Sequence, residues 1–586
     1  MKKKEAPAHF LSVGIVGAGP RGLSALESLY HALADNNVDL EIRTLLFEEK
    51  ELPGAGHVYD LNQPDTNWLN VSERGLTIPA RKEIRHGAAR IPAFPSYHEW
   101  AGYNEAEDAG EVPDKFPLRS KLGRYLNDRY ISIAATLEEV GVLMVIRGPV
   151  VAADYAEDHF TILLEDGSSY QVDEMVLTIG HQPTKNSKQI SNWLDYAKDN
   201  PTIDLITQPY PIARTLESPV FNANNIVALR GFGLAMIDVM RGLTAGLSGR
   251  FDVVNEATRE MRYVRGGNEP SKIIPFSLDG LPMAPKPLNL EIDQWFFPTE
   301  EEKKSFGNYL SQVSKQGDAE DISFMVDAVT PIVIRVLKQL RSKARPNALK
   351  PLELKKVIHS WLADPDYEHE LIVSKKDPTK KMLEAFVGMA TGSKLVSLDF
   401  CIGHVWRHCQ PTLYEALSFS NLPETIIAAV VQLDERLKRY SYGPPVDSLQ
   451  QLLALVRGGI VSLDFVDDPE IETTNDGWKL TKDNDTVVAQ IMVNSVLDSP
   501  KLLEVNSLLV LNLLHESMIA PIHGDLGIET HENGCVILAE EKEELPLAIL
   551  GRLAKGTLIG VDAILECFGQ RSNLWAEGLV DRLNAS

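Results

Sequence analysis

The sequence predicts an α/β protein in which two Rossmann-like dinucleotide-binding domains are joined to a mainly helical insertion or cap. Three observations predict this fold class. Two apolar runs, at residues 11–16 and 225–229, each lead into a G-x-G turn and then into apolar residues at helical spacing, the pattern of a buried strand followed by a helix. A polar stretch of helical periodicity follows from 299 to about 440. The chain then ends in a strand-like run, a glycine loop and a helical pattern at 544–568.

Length and charge exclude several classes of protein. At ~100–200 residues per domain, a chain of 586 residues is long enough for several domains. Asp and Glu outnumber Lys and Arg by 82 to 58, which gives a net charge of −24. This charge repels phosphate backbones and anionic lipid, so nucleic acid and membrane surfaces are not expected partners. The expected partner is a small-molecule substrate, and the oligomeric state stays open.

The cysteine content and the start of the chain both bear on location. Four cysteines in a chain of this length exclude a disulfide scaffold and suit a reducing cytoplasm. Three lysines followed by the apolar run 10–18 superficially resemble a secretory signal. That run continues directly into a glycine motif, so its removal would destroy the first element of the fold. We therefore predict a cytoplasmic protein.

The strongest motif lies at residues 17–22, where G-A-G-P-R-G separates a strand-like run from a helical pattern. Its first glycine permits a tight turn, the second lets the backbone approach a pyrophosphate, and the third lets helix and strand pack closely. The helix N-terminus adds N–H groups and a positive dipole end. The candidate cofactor residues of this turn are Gly17, Gly19, Pro20, Arg21 and Gly22.

An acid completes this first unit. A second strand-like run at 42–47 ends at Glu48, which follows Gly22 by 26 residues, close to the ~20 expected of an acid that binds a ribose diol. A glycine-rich turn of some other α/β protein is the alternative, but strand, motif, helix, strand and acid all occur in order. The position at the start of the chain favours FAD over NAD by association only.

A second nucleotide motif begins at Gly231 and Gly233. The third glycine is replaced by Met236, while the two that form the turn and approach the phosphates remain. We predict NAD(P)H binding here. The alternative is a degenerate unit that no longer binds a nicotinamide coenzyme.

Several further blocks carry a resemblance to a family. G-A-G-H-V-Y at 54–59, W-L-N-V at 68–71, F-P-L-R at 116–119 and V-L-T-I-G-H-Q-P at 176–183 are similar in order to blocks of the FAD/NAD(P)-binding proteins near the flavin-dependent N-hydroxylating monooxygenases. The resemblance implies that Asn70 and Arg119 lie near a flavin, and that the chain leaves the flavin domain at Gly180 and His181. A solvated arginine is the alternative for Arg119.

The same resemblance covers the second motif. The family often has G-x-G-x-x-x-x-D, which Asp238 matches, and a Ser-Arg-x-Gly-x-x-P block that resembles residues 277–282. An arginine in that block would suit a 2′-phosphate, but Leu278 takes its place. The choice between NADH and NADPH therefore stays open, with four basic residues as substitutes: Arg230, Arg262, Arg265 and Lys272.

The tail resembles the closing segment of two-dinucleotide flavoproteins. Strand-like runs at 487–494 and 544–550 precede Gly551, Gly556 and Thr557, and a helical pattern follows at 558–568. The resemblance implies that this helix points its N-terminus at the flavin, where the dipole stabilises negative charge. Cys567 has no C-x-x-C partner, which excludes a disulfide-reductase mechanism.

A metal site is not expected. Cys401, His404, His408 and Cys409 include two good zinc ligand types. On a helix, however, Cys409 lies about 100° around from His408, and no second ligand pair is nearby. Packing of the cap or contact with a substrate carboxylate is the preferred interpretation.

These patterns divide the chain into four segments. They are a first FAD segment at 1–215, an NAD(P)-like domain at 216–298, the helical insertion at 299–440 and a return to the FAD domain at 441–586. The favoured function is an NAD(P)H-dependent, FAD-dependent monooxygenase that hydroxylates a small amine or an amino-acid-like substrate. The alternatives are a flavin reductase or oxidase without oxygen insertion, and a protein that only holds flavin. No catalytic acid or base is assigned.

Overall fold

The computed structural model describes residues 10–105, 110–497, 501–538 and 545–585. Its strands are β1 (Phe10–Val16), β2 (Glu41–Glu48), β3 (Ile84–His86), β4 (Ala89–Ile91), β5 (Leu143–Arg147), β6 (Val150–Ala156), β7 (His159–Leu164), β8 (Ser169–Val172), β9 (Glu174–Leu177), β10 (Asp204–Ile206), β11 (Ile226–Arg230), β12 (Arg250–Asn255), β13 (Glu260–Val264), β14 (Lys272–Phe276), β15 (Glu470–Thr474), β16 (Gly477–Lys482), β17 (Asp485–Ala489), β18 (Ile491–Asn494) and β19 (Leu547–Ile549). Its helices are α1 (Pro20–Asp35), α2 (Tyr97–Ala101), α3 (Arg119–Glu139), α4 (Lys188–Lys198), α5 (Ala213–Leu216), α6 (Leu234–Gly242), α7 (Leu290–Asp293), α8 (Glu300–Gln316), α9 (Ser323–Leu340), α10 (Pro351–Ala363), α11 (Thr379–Ala390), α12 (Leu398–Leu417), α13 (Glu424–Ser441), α14 (Val446–Arg457), α15 (Leu508–His515), α16 (Ile564–Cys567) and α17 (Gln570–Ala585).

The first sheet joins the two ends of the chain. Its order is β19-β9-β1-β2-β5, and every neighbouring pair is parallel. The last strand, β19, pairs with β9 in the register Ile549↔Leu177. Buried parallel strands suit the β-branched runs of the sequence. Helix α1 packs against α17, so the tail contributes both a strand and a helix.

The second sheet has the order β10-β18-β11-β14 and is also parallel. The predicted α/β fold class with two Rossmann-like units is therefore confirmed. Strands β10 and β18 come from residues that the predicted boundaries, 216–298, assigned to the FAD segments. They belong to this sheet because a pair of strands alone rarely forms a stable layer.

The helical insertion packs on the second sheet. Helices α8 to α13 occupy most of the stretch predicted to be helical, and α14 extends it to Arg457. One continuous apolar core contains Val227 of β11 together with Phe400 and Trp406 of α12. The insertion and the second sheet therefore share a core.

Apolar and polar side chains alternate along 149–180, which predicts a β-hairpin or meander ending in a buried strand. The structure confirms this with a three-stranded antiparallel meander, β6-β7-β8, followed by the buried β9. Another strand prediction differs in detail from the structure. The strand predicted at 487–494 is divided at Gln490, because its first half pairs antiparallel with β16 and its second half joins the second sheet. Residue Glu544 of the last predicted strand lies outside the described residues.

The helix predicted at 558–568 is wrong. Only α16 is helical there, and the long closing helix begins at Gln570. Leu558 and Val561 are buried in one apolar core and Ile559 in another, so their spacing reflects a segment packed on two sides. No helix of the described residues is long and apolar enough to cross a membrane.

Candidate functional site

Gly17 turns the chain at the end of β1. Its φ of +97° lies in the left-handed region that favours glycine, and its N–H donates to the carbonyl of Phe47 over 2.8 Å. A Cβ at Gly17 would lie 2.9 Å from the carbonyl oxygen of Thr178, and one at Gly22 would lie 2.0 Å from that of Gly17. Both positions therefore require glycine, which is what a tight turn and close packing of helix on strand demand.

The N-terminus of α1 is suited to an anion. Gly19 is the N-cap and Pro20 lies in the first turn, so no side chain of the described residues caps this helix. An uncapped N-terminus presents backbone N–H groups and the positive end of the helix dipole. A Cβ at Gly19 would meet the Cα of Gly56 at 3.6 Å, so only a narrow gap separates two stretches of bare backbone. This donor set fits a dinucleotide diphosphate.

A second glycine loop covers this turn. Shortly after β2 the N–H of Gly54 donates to the carbonyl of Ala18 over 2.6 Å. A Cβ at Gly54 would lie 2.5 Å from the carbonyl oxygen of Leu126, so the loop depends on glycine as well. The predicted site residues did not include Gly54 and Gly56, although two glycines soon after the predicted acid were the signal for them.

The Glu48 carboxylate accepts backbone hydrogen bonds at the first glycine turn. One carboxylate oxygen accepts the N–H of Ala18 over 2.7 Å, and the other accepts the N–H of Lys50 over 2.9 Å. The residue is 8% exposed. A carboxylate offers about four acceptor positions, so these two bonds leave capacity for the ribose hydroxyls of the prediction.

The tail of the chain reaches the same turn. Leu550 donates its N–H to the carbonyl of Leu177, and a Cβ at Gly551 would lie 2.6 Å from Nε of Arg21. The guanidinium of Arg21 also donates to the carbonyl of Glu566 over 3.3 Å. Arg21 of the first turn therefore contacts both the closing loop and α16, so the two ends of the chain meet at one place.

Gly556 and Thr557 lie deeper in the protein. A Cβ at Gly556 would meet Ile522 and Leu526, each at 2.8 Å. The Thr557 hydroxyl donates to the carbonyl of Ile528 over 3.3 Å. Residues of the 522–530 segment occupy the space beside both positions. Only main-chain atoms of Gly556 and Thr557 are therefore left for the predicted contact with a cofactor.

Gly180 and His181 follow β9, where the chain leaves the first sheet. Gly180 has a φ of +62°, and in the described part of the chain no atom lies within 4 Å of a Cβ built there. His181 is exposed. Although the side chain reaches solvent, partial loss of hydration and the positive charge of Arg552 lower the pKa of His181 below its usual value. Its imidazole is therefore neutral at pH 7.

Asn70 and Arg119 connect the first domain to the rest of the molecule. The Asn70 amide donates to the carbonyl of Tyr442 over 3.2 Å. Arg119 donates to Asp238 on α6 over 2.7 Å and lies over the ring of Tyr210 at 5.3 Å. Its side chain is 14% exposed, so the solvated alternative is wrong. Arg119 pairs with the second unit, and its predicted position beside a flavin remains a prediction.

The second glycine turn repeats the geometry of the first. Gly231 has a φ of +115° and donates its N–H to the carbonyl of Phe276 over 2.7 Å. Gly233 is the N-cap of α6 without a side-chain cap, and a Cβ there would meet nothing within 4 Å among the residues that the structure describes. Ser277 occupies the position that Glu48 occupies in the first unit, one residue after the paired phenylalanine. This turn fits a second dinucleotide.

Three of the four basic residues considered for a 2′-phosphate lie on different strands. Arg230 donates to Gln189 and Asn494, and Arg262 pairs with Asp252 on the β12–β13 hairpin. Lys272 begins β14, at the opposite end of the strand from the turn.

A buried network that the sequence did not predict joins the closing loop to the helical insertion. The Asp562 carboxylate contacts the cations of Arg552, Lys438 and Lys555, and Lys555 also contacts Glu435 of α13. The cations lower the pKa of Asp562 well below its usual value despite its burial. Nearby, burial raises the pKa of Glu566 to about 7. No local pattern signals the two contacts with α13, because their partners are 124 and 120 residues apart.

The Cys and His residues of α12 pack within the insertion. His404 is fully buried between the rings of Phe296 and Phe400, at 5.2 and 4.2 Å. His408 donates to Asp293 over 3.0 Å. Burial raises the pKa of both Cys401 and Cys409. Within the described ranges no three His, Cys, Asp or Glu side chains form a metal-binding group.

Residues 14–182 match the family model described as FAD-NAD(P)-binding. This part of the chain, which contains the first glycine turn, Glu48 and His181, is therefore a FAD/NAD(P)-binding domain. The resemblance to FAD/NAD(P)-binding proteins stated from the sequence is confirmed.

The curated relatives carry names of one kind. A nitrosuccinic acid synthase of Aspergillus oryzae is 31% identical over 260 residues, which is 44% of this chain and 38% of the relative. A nitrosuccinate-forming L-aspartate N-monooxygenase of Streptomyces davaonensis is 27% identical over 284 residues, 44% of this chain and 42% of the relative. The matched part thus spans about two fifths of the length of these relatives.

Solved structures align over nearly the whole chain at low identity. A reduced ornithine hydroxylase of Pseudomonas aeruginosa covers 98% of this chain and 100% of its own, at 10% identity and a TM-score of 0.44. A cyclohexanone monooxygenase covers 98% and 89%, at 11% identity and a TM-score of 0.43.

Proposed function

We propose that the protein is an FAD-dependent monooxygenase that takes electrons from NAD(P)H and hydroxylates the nitrogen of a small amine or an amino-acid-like substrate. One observation carries the proposal. A single chain holds two glycine turns of the same geometry, and its tail closes on the first of them through Arg21 and Gly551. The printed names of the curated relatives, N-monooxygenase and nitrosuccinic acid synthase, support the reaction class.

The first turn would hold the diphosphate and the adenosine ribose of FAD. The N-terminus of α1 offers N–H groups to the phosphates, Gly19 and Gly56 keep the approach free of side chains, and Glu48 accepts from the ribose hydroxyls. FAD supplies the redox chemistry when bound, since a reduced flavin reacts with oxygen. The second turn, at Gly231 and Gly233, would hold the diphosphate of the coenzyme.

The surrounding residues would exclude water and hold protons. The Asp562 network and the Asn70–Tyr442 bond join the insertion to the first domain, which supports a closed site. Neutral His181 can donate and accept a hydrogen bond without adding charge. Glu566, with a pKa near 7, is in the range in which a carboxyl group can hold or release a proton at neutral pH.

We place the protein in the cytoplasm and its substrate among small molecules. Within the described residues no two cysteines form a disulfide, and three of the four are buried, which suits a reducing compartment.

The test separates the three candidate functions. The protein is loaded with FAD, mixed with NADH or NADPH without oxygen, and then exposed to oxygen with L-aspartate and a panel of other amino acids and amines. We expect bleaching of the flavin, followed by consumption of one coenzyme, one oxygen and one substrate per product, with one oxygen atom in the hydroxylated amine and the other in water.

Other outcomes contradict the proposal in distinct ways. If the protein does not retain FAD, all three candidate functions are excluded. Retention without reduction would favour a protein that only holds flavin. Reduction followed by hydrogen peroxide alone, with every substrate tried, would favour the reductase or oxidase.

A further inference from the structure

A cavity of 270 Å³ lies where the second sheet meets the helical insertion. Asp279 and Leu281, which follow β14, line one side. Trp361 of α10, Phe386 of α11 and Tyr440 of α13 line the others. None of these residues belongs to the site described above.

One wall of the cavity follows β14, the strand beside the second glycine turn. Phe276, the last residue of β14, is the register partner of Arg230 and accepts the N–H of Gly231. In a dinucleotide-binding unit, the residues just past the strand beside the glycine turn contact the adenosine ribose. Asp279, which lines the cavity, is the third residue past that strand.

The walls of the cavity suit a planar ring. The ring centroid of Tyr440 lies 5.9 Å from that of Trp361 and 5.8 Å from that of Phe386, each in an edge-to-face arrangement. The guanidinium of Arg436 lies over Trp361 at 5.0 Å. Aromatic faces and guanidinium planes of this kind stack on nucleobases.

The charges on the lining suit an anion. Lys375, Arg436 and Arg439 oppose one carboxylate, Asp279, in a chain whose net charge is −24. Arg436 donates to the carbonyls of Trp361 and Leu362, so its charge is not neutralised by an acid there.

The two other cations are held loosely. Lys375 lies 3.5 Å from Asp366, whose side chain is 90% exposed, and Arg439 contacts Asp279, whose side chain is 50% exposed. Exposed pairs contribute about 0–1 kcal/mol, so a phosphate group can compete for both cations. Ser277, at the Glu48 position, adds no negative charge that would repel it.

Size narrows the choice of ligand. Cavities that hold a drug-sized molecule measure ~300–1,000 Å³, and this one measures 270 Å³. It is therefore large enough for a base with one phosphate and too small for a whole dinucleotide.

We propose that this cavity binds the adenosine end of the nicotinamide coenzyme, with the base against Trp361, Phe386 and Tyr440 and a 2′-phosphate between Lys375 and Arg439. The protein then prefers NADPH to NADH. The inference rests on the proposed function for the rest of the coenzyme, and the binding of the isolated adenosine end tests it separately.

The test uses the FAD-loaded protein and titration calorimetry with 2′,5′-ADP and with 5′-AMP. We expect 2′,5′-ADP to bind more tightly than 5′-AMP. Lys375→Ala should lower the affinity for 2′,5′-ADP by about tenfold, the loss expected for one charge-assisted hydrogen bond. The affinity for 5′-AMP should not change. Lys376→Ala removes the adjacent exposed lysine, which does not line the cavity, and should change neither affinity. Arg439→Gln should reproduce the effect of Lys375→Ala.

Two results would overturn the inference: equal affinities of the wild-type protein for the two nucleotides, or equal affinities of Lys375→Ala and Lys376→Ala for 2′,5′-ADP. If the expected binding pattern is found but neither NADH nor NADPH reduces the flavin, the inference stands and the proposed function fails. If NADPH reduces the flavin and 2′,5′-ADP does not bind, the proposed function stands and the inference fails.

Discussion

The two glycine turns share a backbone and differ in what surrounds them. In each, a glycine with positive φ follows a strand and donates its N–H to the carbonyl of a phenylalanine within the last two residues of the neighbouring strand. The first is enclosed by Glu48, by the Gly54–Gly56 loop and by the tail at Gly551. The second has Ser277 in place of the acid, and in the described part of the chain no atom lies within 4 Å of a Cβ built at Gly233. From this difference we infer that the first turn retains a cofactor and that the second exchanges one.

The largest effect is expected from the third glycine of the first turn. Gly22→Val places a branched side chain 2.0 Å from the carbonyl oxygen of Gly17. We expect loss of FAD and a decrease of about 3 kcal/mol or more in the free energy of unfolding, measured by denaturant titration. The matched change in the second turn is Met236→Val, where the position already accepts a side chain, and it should leave flavin bound. Similar losses in the two variants would contradict the comparison.

The pair that joins the two units comes next. Arg119→Met leaves the Asp238 carboxylate without the Arg119 cation in a buried position. Removal of one partner of a buried ion pair lowers the free energy of unfolding by about 3–5 kcal/mol. We expect a loss at the lower end of this range, because Asp238 keeps its contacts with Tyr210 and Arg241. Arg124→Met, on the exposed face of the same helix, is the control. Thermal unfolding that is equal in the two variants would show that the pair does not couple the units.

The acid of the first turn tests the cofactor assignment with a smaller effect. Glu48→Gln removes the charge and one acceptor from the carboxylate that binds Ala18 and Lys50. We expect an affinity for FAD lower by about tenfold, measured by fluorescence titration of the apoprotein. Neither Glu49→Gln, an exposed neighbour, nor Ser277→Ala in the second turn should change it. An unchanged affinity in Glu48→Gln would remove this residue from the site.

The smallest effect concerns pH. Burial raises the pKa of Glu566 from 4.5 to about 7, so the folded protein binds this proton more tightly than the unfolded chain does. Stability therefore falls as pH rises from about 4.5 to 7. In the apoprotein, Glu566→Gln should remove about 1–2 kcal/mol of this decline, and Glu577→Gln, at an exposed position of α17, should not. Identical pH profiles of the three proteins would contradict the assignment.

The sequence predicted those parts of the fold that local pattern determines. The strands, turns and helices around Gly17 and Gly231 follow from glycine spacing and apolar periodicity, and so does the return of the tail as β19. The predicted helix at 558–568 failed because Leu558 and Ile559 are buried in different cores, which imitates helical spacing. The Arg119–Asp238 pair and the contact between Asp562 and Lys438 could not be predicted from the sequence. Their side chains are more than 100 residues apart, and such contacts produce no local sequence pattern. The predicted cofactor roles of individual residues remain predictions.

The central claim is that the first turn retains FAD and the second accepts the coenzyme. Gly19→Val and Gly233→Val test it most directly, because both glycines have an extended backbone, with φ of −72° and −116°, that valine adopts without strain. The measurement is flavin content after purification, together with the rate of anaerobic flavin reduction by NADPH and NADH. The account predicts that Gly19→Val loses its flavin, and that Gly233→Val keeps it and is reduced at least about tenfold more slowly. Full flavin content in Gly19→Val, or an unchanged reduction rate in Gly233→Val, would contradict it.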